Sequence, residues 1–157
     1  MIIEQVNAGT PSRVFIIVTN SYSTSALSDG DWVGWDIVTD KDGASVTKAT
    51  GAIRAAIAGC SVGAIASGAV GKIQCFGYKS NAKCKGGSGS VTSKLSAGFA
   101  LYMATGDLAI QARPRTLTAM KLPYAEKRAG VFIEPLNTAA KATSATTWRG
   151  EVFIQCI

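Results

Sequence analysis

The stretch VGKIQCFGY, Val70–Tyr78, decides the fold that this sequence predicts. Alternate residues of the stretch fall on opposite faces, and this period of two is that of a β-strand. One face carries Val70, Lys72, Gln74, Phe76 and Tyr78, and the other carries Gly71, Ile73, Cys75 and Gly77. Glycines inside a strand are typical of a bulge, a barrel corner or a close approach of two backbones. The stretch therefore predicts a β-strand that contains a bulge, turns a barrel corner or lies close to another backbone.

Other short apolar runs, bounded by glycines or turn residues, extend the pattern along the chain. They are Arg13–Thr19, Asp31–Thr39, Phe99–Met103, Leu108–Ala112, Gly130–Leu136 and Gly150–Ile157. Within Asp31–Thr39 we expect Val33, Trp35 and Ile37 to share one face, with a turn following at Asp40–Gly43. Several short strands separated by turns predict a mostly-β fold, a small β-barrel or a sandwich, with at most one or two short helices.

The length of 157 residues predicts a single β-rich domain over the whole chain. Residues 1–30 are a candidate arm or edge segment, and Lys85–Lys94 has the composition of a flexible loop. Thr47–Ala58 fits an alanine-rich helix and a strand of small residues equally well. We see no signal peptide and no apolar run of the ~18–20 residues that span a bilayer, so we expect no membrane contact.

The four cysteines and the absence of histidine limit the metal and redox chemistry that the chain can support. Cys60, Cys75, Cys84 and Cys156 include no C-x-x-C pair, so the sequence does not predict a zinc site. We expect four partly buried thiols without disulfides. The alternative is a Cys75–Cys84 disulfide across a hairpin, which would require an oxidising compartment.

Charge is distributed unevenly around a net value of +6. The segment Gly43–Gly106 has no acidic residue, whereas Asp29–Asp42 has five aspartates and one lysine. The basic residues of the acid-free segment are Lys48, Arg54, Lys72, Lys79, Lys83, Lys85 and Lys94. Two segments of opposite charge are able to complement each other within the chain or to complement a partner.

Short matches to catalytic motifs lack the partners that their chemistry needs. Gly59–Gly63 fits G-x-S-x-G, but the serine of such an elbow needs a base, normally histidine, and the chain has none. Ser45–Lys48 and Ser80–Lys83 fit S-x-x-K without the further motifs of that enzyme class. Gly86–Gly89 lacks the G-K-[ST] of a phosphate loop. We therefore predict no enzymatic activity and no cofactor or metal.

Bases and aromatics alternate in one part of the acid-free segment. The residues concerned are Lys72, Phe76, Tyr78, Lys79, Lys83 and Lys85. A small barrel that stacks single-stranded nucleic acid in a positive groove uses this combination. In the other interpretation, Phe76 packs in the core and the lysines protect an edge strand from pairing. We favour the second interpretation, and keep nucleic-acid binding through Lys72–Lys94 as the alternative function.

A longer stretch, Gly59–Tyr78 (GCSVGAIASGAVGKIQCFGY), resembles a run found in small capsid decoration (cement) proteins of tailed bacteriophages. Ala64–Gly71 matches that family's turn, and Lys72–Gly77 matches the strand after it. The similarity continues at Ser96–Leu101 and Gly106–Leu108, and more weakly at Ala129–Ile133 and Gly150–Ile154. This chain has Lys72 where the family has an aromatic residue and Phe99 where it has an aspartate.

The resemblance implies a β-barrel or β-tulip-like domain that binds the outside of an icosahedral capsid without catalysis. Such proteins form homotrimers at local threefold positions and bridge neighbouring major capsid protein subunits. Many copies together add modest contact energies through avidity. The implied location is the outer surface of the virion, and the host cytoplasm during assembly. Another virion component of the same framework, such as a tail or baseplate adaptor, is a further alternative.

A homo-oligomer requires an interface, and aromatic residues are enriched in interface cores. The three tryptophans, Trp32, Trp35 and Trp148, are therefore our first candidates, and we expect at least one of them at a subunit contact. The basic candidates for the same surface are Lys72, Lys79, Lys83 and Lys85.

Overall fold

The computed structural model describes residues 3–6, 13–48, 56–85, 100–103, 108–112, 130–132 and 147–156. The described residues form ten β-strands and no helix, which confirms the predicted mostly-β class. The strands are β1 (Ile3–Val6), β2 (Arg13–Asn20), β3 (Trp32–Trp35), β4 (Ser45–Thr47), β5 (Ile57–Val62), β6 (Val70–Lys85), β7 (Ala100–Met103), β8 (Ile110–Ala112), β9 (Gly130–Phe132) and β10 (Thr147–Gln155). None of the described ranges contains a helix long and apolar enough to cross a membrane.

Five of these strands close into a barrel-like ring in the order β2, β4, β3, β5, β6. The ring closes at β6, because Ile73 lies opposite Ser61 of β5 on one side and opposite Ile16 of β2 on the other. β4 runs parallel to β2 and antiparallel to β3. β1 pairs with β2 at the end of the sheet order.

A second circuit of strands shares β6 with this ring. The later part of β6 pairs with β10, and β10 leads through β9 and β7 to β8. β8 then returns to β6 as a parallel neighbour, with Ile110 opposite Cys84. With 16 residues, β6 is therefore the strand on which both circuits are built.

β6 bends sharply between its two halves. Ser61, which pairs with Ile73, accepts the N–H of Gly30 at 3.0 Å, and the Gly30 carbonyl accepts the N–H of Lys83 at 2.9 Å. Ile73 and Lys83 are thus linked by three contacts between neighbouring backbones, through Ser61 and Gly30, and these contacts together span at most roughly 15 Å. In a straight strand the two residues, ten positions apart, would be separated by roughly 33 Å. Gly77 supplies the bend with a φ of 97°, a value that glycine adopts readily.

The side chain of Gln74 stabilises the bend from within. Its amide donates to the carbonyls of Phe76 at 3.1 Å and Tyr78 at 3.0 Å, and the residue is 2% exposed. The partner strand β10 has an irregular register a few residues further along β6, between Gly150 opposite Ala82 and Val152 opposite Lys79. Carbonyls that a regular ladder would satisfy are thus paired by one buried side chain.

Apart from Ala109, the buried apolar residues of the described ranges form one cluster. Its largest fully buried side chains are Trp32, Leu27, Ile57, Ile73, Ile154, Val33, Val46 and Val152. Each such aliphatic side chain contributes about 1.5–3 kcal/mol on burial. All four cysteines are buried thiols and none forms a disulfide. Burial raises the pKa of Cys60 well above its usual value, so this thiol stays protonated and unreactive.

Several strand predictions are corrected by the structure. The strand expected over Asp31–Thr39 ends at Trp35, and Ile37 lies in the following turn, 52% exposed. The strand expected over Val70–Tyr78 continues to Lys85. Cys75 and Cys84 therefore lie on one continuous strand with no hairpin between them, and the alternative disulfide is wrong.

Other predictions are met in part or fall outside the described residues. The ambiguous segment Thr47–Ala58 begins in β4 and ends in β5, while residues 49–55 are not described. The expected turn at Asp40–Gly43 is present. The loop predicted over Lys85–Lys94 lies outside the described residues, apart from Lys85 at the end of β6.

Candidate functional site

Among the described residues, a group of charged side chains meets where the turn before β3 crosses the bend of β6. We call this group the charged clasp: Asp29, Gly30 and Asp31 held by Lys79, Asn81, Lys83 and Arg149. It joins the acidic segment of the sequence to the acid-free segment. Two aspartates of the acidic segment are thus neutralised by two lysines of the acid-free segment within the single chain.

Asp29 is the outer carboxylate of the clasp. It accepts hydrogen bonds from Lys79 Nζ at 3.1 Å, from the Gly63 N–H at 3.0 Å and from the Asn81 side-chain amide. Partial burial by itself would raise the pKa of Asp29, but these hydrogen bonds outweigh it and hold the pKa below its usual value. Asp29 is therefore ionised at neutral pH and paired with a lysine that is only 7% exposed.

Asp31 is the inner carboxylate, and it is 2% exposed. It accepts hydrogen bonds from Lys83 Nζ at 3.1 Å and from the Ser28 N–H at 2.8 Å. Its own N–H donates to Ser61 Oγ at 3.1 Å. A buried carboxylate requires such partners, because an unpaired one loses its hydration without compensation.

Gly30 and Arg149 close the clasp. The Arg149 guanidinium donates to the carbonyls of Asp29 and Asn81. A Cβ added to Gly30 would collide with the Asn81 carbonyl and with Arg149, and the residue has a φ of 85°. Only glycine fits this position without strain.

The lysines that were predicted to form a basic surface mostly make contacts with other residues of the same chain. Lys79 and Lys83 belong to the clasp, and Lys72 Nζ lies 4.9 Å from the centroid of the Phe15 ring. Lys85 is partly buried at the end of β6. The four lysines therefore do not form one continuous basic groove of solvent-facing ammonium groups.

The aromatics of the same segment also have partners within the chain. Phe76 packs edge-on against Phe153, with ring centroids 5.1 Å apart. The Arg13 guanidinium lies 5.8 Å from the centre of the Tyr78 ring. The core packing expected for Phe76 is thus met in part, since its side chain is half-buried.

The tryptophans do not share one surface. Trp32 has no exposed area and lies in the core, so it offers a partner nothing to bind. Its indole Nε1 is buried without a hydrogen-bond partner in the described structure. Trp35 is half-buried and packs against the same core. The side chain of Trp148 lies outside the described residues, so the expected tryptophan contact stays a prediction for Trp35 and Trp148.

Ser61 and the two lysines of the catalytic-motif matches have structural partners. Ser61 is fully buried in β5, and its hydroxyl donates to the Ser28 carbonyl while accepting from Asp31. In the S-x-x-K matches, Lys83 binds Asp31, and Lys48 Nζ lies 5.7 Å from the centre of the Tyr22 ring. Among the described residues, no group of three or more acidic residues or cysteines is arranged to hold a metal ion.

The stretch that resembles decoration proteins forms the β5–β6 hairpin. Its turn is fixed by Ile65, which exchanges backbone hydrogen bonds of 2.9 Å with Leu27 in both directions. Gly71 lies against the Ile65 side chain, which leaves no room for a Cβ. No protein-family model, curated protein or solved structure matches the chain.

Sequence reasoning missed the residues that tie the clasp together. Gly30 carried a signal, because a glycine between two aspartates favours a turn. Asn81 and Arg149 carried none, since they contact Asp29 across 52 and 120 positions of sequence. The exposure of Ile37 and Val38 was also missed, because the alternating pattern continued past the true end of β3.

Proposed function

We propose that this chain is a structural virion protein that binds the outer surface of a bacteriophage capsid. It acts as a homotrimer that bridges neighbouring major capsid protein subunits and stabilises the shell. Its action is binding alone, repeated over many copies. It resides on the virion, and in the host cytoplasm during assembly.

The β5–β6 hairpin is the observation that carries this proposal. The residues that resemble the decoration-protein turn and strand, Ala64–Gly71 and Lys72–Gly77, form one hairpin at the junction of both strand circuits. The turn and the strand of the resemblance thus coincide with a turn and a strand of the fold. The hairpin also supplies Val70, an exposed apolar side chain suited to a protein contact.

The charged clasp favours this function over nucleic-acid binding. A nucleic-acid groove requires lysines that neutralise phosphates. Lys79 and Lys83 are already neutralised by Asp29 and Asp31. Using them for phosphates would break two ion pairs, one of which includes a carboxylate that is almost fully buried.

Titration onto capsids that lack any decoration protein tests the proposal. We expect saturable binding at a fixed number of copies per capsid, and a higher temperature of capsid disruption once the sites are filled. The mass of the unbound protein, measured by light scattering, is expected to be three times 16.2 kDa. An absence of binding to capsids of every phage tested from the source host would overturn the function.

The salt dependence of binding separates the two functions. Nucleic-acid affinity falls steeply with salt, because each neutralised phosphate releases counterions. Capsid binding through apolar contacts should change little between 50 and 200 mM salt, a range over which several phosphate contacts would lose roughly 10³-fold or more in affinity. Tight single-strand binding with that steep dependence would favour the alternative function.

A further inference from the structure

The exposed large apolar side chains fall into two groups with opposite charge. Among the described residues they are Ile17, Ile37, Val38 and Val70. Ile17 and Val70 lie beside Lys72 on β2 and β6, and we call these three residues the basic strip. Ile37 and Val38 begin the segment Ile37–Asp42, which we call the acidic loop because its two aspartates, Asp40 and Asp42, outnumber its single lysine, Lys41.

The register of β2 and β6 fixes the basic strip on the outside of the ring. Ile17 lies opposite Lys72, and Thr19 lies opposite Val70. The alternate residues of β2, Ile16 and Val18, are 5% and 2% exposed and point inward. Ile17 and Val70 are 39% and 68% exposed, so the strip presents apolar area next to one cation.

Hydrogen bonds hold the acidic loop in a defined shape. Asp36 at its base accepts from Ser21 Oγ at 2.6 Å and from the Thr39 N–H at 3.2 Å. Asp40 accepts from the Asp42 N–H at 3.0 Å. Ile37 and Val38 are therefore held in solvent, 52% and 69% exposed, on a turn that is already ordered.

The two surfaces lie on the same molecule without covering each other. Val70 pairs with Thr19, Thr19 pairs with Ser45, and the Asp36 N–H donates to the Ser45 carbonyl at 3.0 Å. Three steps of roughly 5 Å around the ring thus separate the strip from the base of the loop. A contact between them must therefore join two molecules.

We propose that the basic strip of one copy binds the acidic loop of a second copy, head to tail. The apolar side chains of both surfaces would be buried together, with Lys72 facing the aspartates. Pairing of strip with strip would instead place two lysines together, which is unfavourable. A contact between two different surfaces forms a closed ring when its rotation closes. The inference rests on the proposed function, and it names the contact that would hold the proposed homo-oligomer together.

Two variants, each with an aspartate at an apolar position, test the contact by complementation. Val70→Asp disables the strip and Val38→Asp disables the loop, and both positions are exposed enough to spare the fold. We expect each variant alone to sediment as a 16.2 kDa monomer. A mixture should form a heterodimer, because one good strip then meets one good loop. Wild-type mass for either variant, or no heterodimer at concentrations up to a hundredfold above the wild-type dissociation constant, would overturn the contact.

Charge reversal tests the pairing independently. Lys72→Glu and Asp42→Lys should each weaken self-association at least tenfold. The double variant should recover most of it, because a strip that carries a carboxylate then meets a loop of net positive charge. Gln155→Glu, at an exposed position of β10 outside both surfaces, should leave the mass unchanged. A double variant weaker than both single variants would overturn the pairing. Wild-type protein that binds capsids as a monomer would overturn this contact and the proposed trimer, and would leave capsid binding itself standing.

Discussion

At the residue scale, Gly30 shows how one missing side chain permits a tertiary contact. Its backbone bonds to both Ser61 and Lys83, so it lies between β5 and the far half of β6. Its φ of 85° and the Asn81 carbonyl beside it leave no room for a side chain. Glycine here is required by conformation and by space together.

We predict that Gly30→Ala lowers the free energy of unfolding by about 2–5 kcal/mol, since backbone strain and a steric collision add. Gly43→Ala is the matched control, because Gly43 has a similar φ of 70° but nothing within 4 Å of an added Cβ. The control should lose only about 1–2 kcal/mol. Urea denaturation measures both, and equal losses would contradict the steric part of the argument.

At the scale of elements, the clasp holds the bent strand β6 against the turn before β3. Its two ion pairs differ in how their carboxylates are exposed: the Asp29 side chain is 40% exposed and that of Asp31 only 3%. Loss of a lysine therefore leaves Asp29 with access to water, but leaves Asp31 buried. The two pairs should respond differently to the same substitution.

We predict that Lys83→Met destabilises the fold by about 3 kcal/mol, because it leaves a buried carboxylate without its cation. Lys79→Met should cost only about 1–2 kcal/mol, since Asp29 keeps its hydrogen bonds from Gly63 and Asn81. Lys41→Met, in the exposed turn, should change stability by less than about 0.5 kcal/mol. Denaturant midpoints rank the three variants, and a reversed order of the two clasp lysines would contradict the assignment.

At the scale of the whole molecule, the paired carboxylates determine how stability depends on acid. Hydrogen bonds from Ser21 and Thr39 hold the pKa of Asp36 below its usual value of 3.8, and the pKa of Asp29 is lowered as well. A carboxyl group with a lower pKa in the folded state stabilises the fold when it is ionised. That contribution is complete above the unfolded pKa.

We therefore predict that the protein keeps its stability from neutral pH down to about pH 5 and loses it as the pH falls through the folded-state pKa values, below about 4. Asp36→Asn should lower stability at pH 7. It should also make stability fall less steeply with pH in the acid range, because an asparagine at position 36 takes up no proton. Thermal melting between pH 2 and pH 7 measures both effects. Parallel curves for the variant and the wild-type protein would contradict the role of Asp36.

The strands that the sequence predicted well are those with a local signal. β2 and the first part of β6 follow from their apolar runs and alternation, and Ile73 and Cys75, which the alternation places on one face, are both buried. β1, β4 and β5 were not predicted, because they are short or rich in small residues that fit more than one structure.

By itself, the sequence determined a mostly-β chain without a histidine and with two segments of opposite charge, because period and composition are local properties. Only the tertiary structure decided where those charges go. Lys79 meets Asp29 across 50 positions and Lys83 meets Asp31 across 52, and the bend of β6 brings both pairs together. No local pattern encodes a contact that depends on how far a strand bends, so the use of the lysines inside the chain became visible only in the fold.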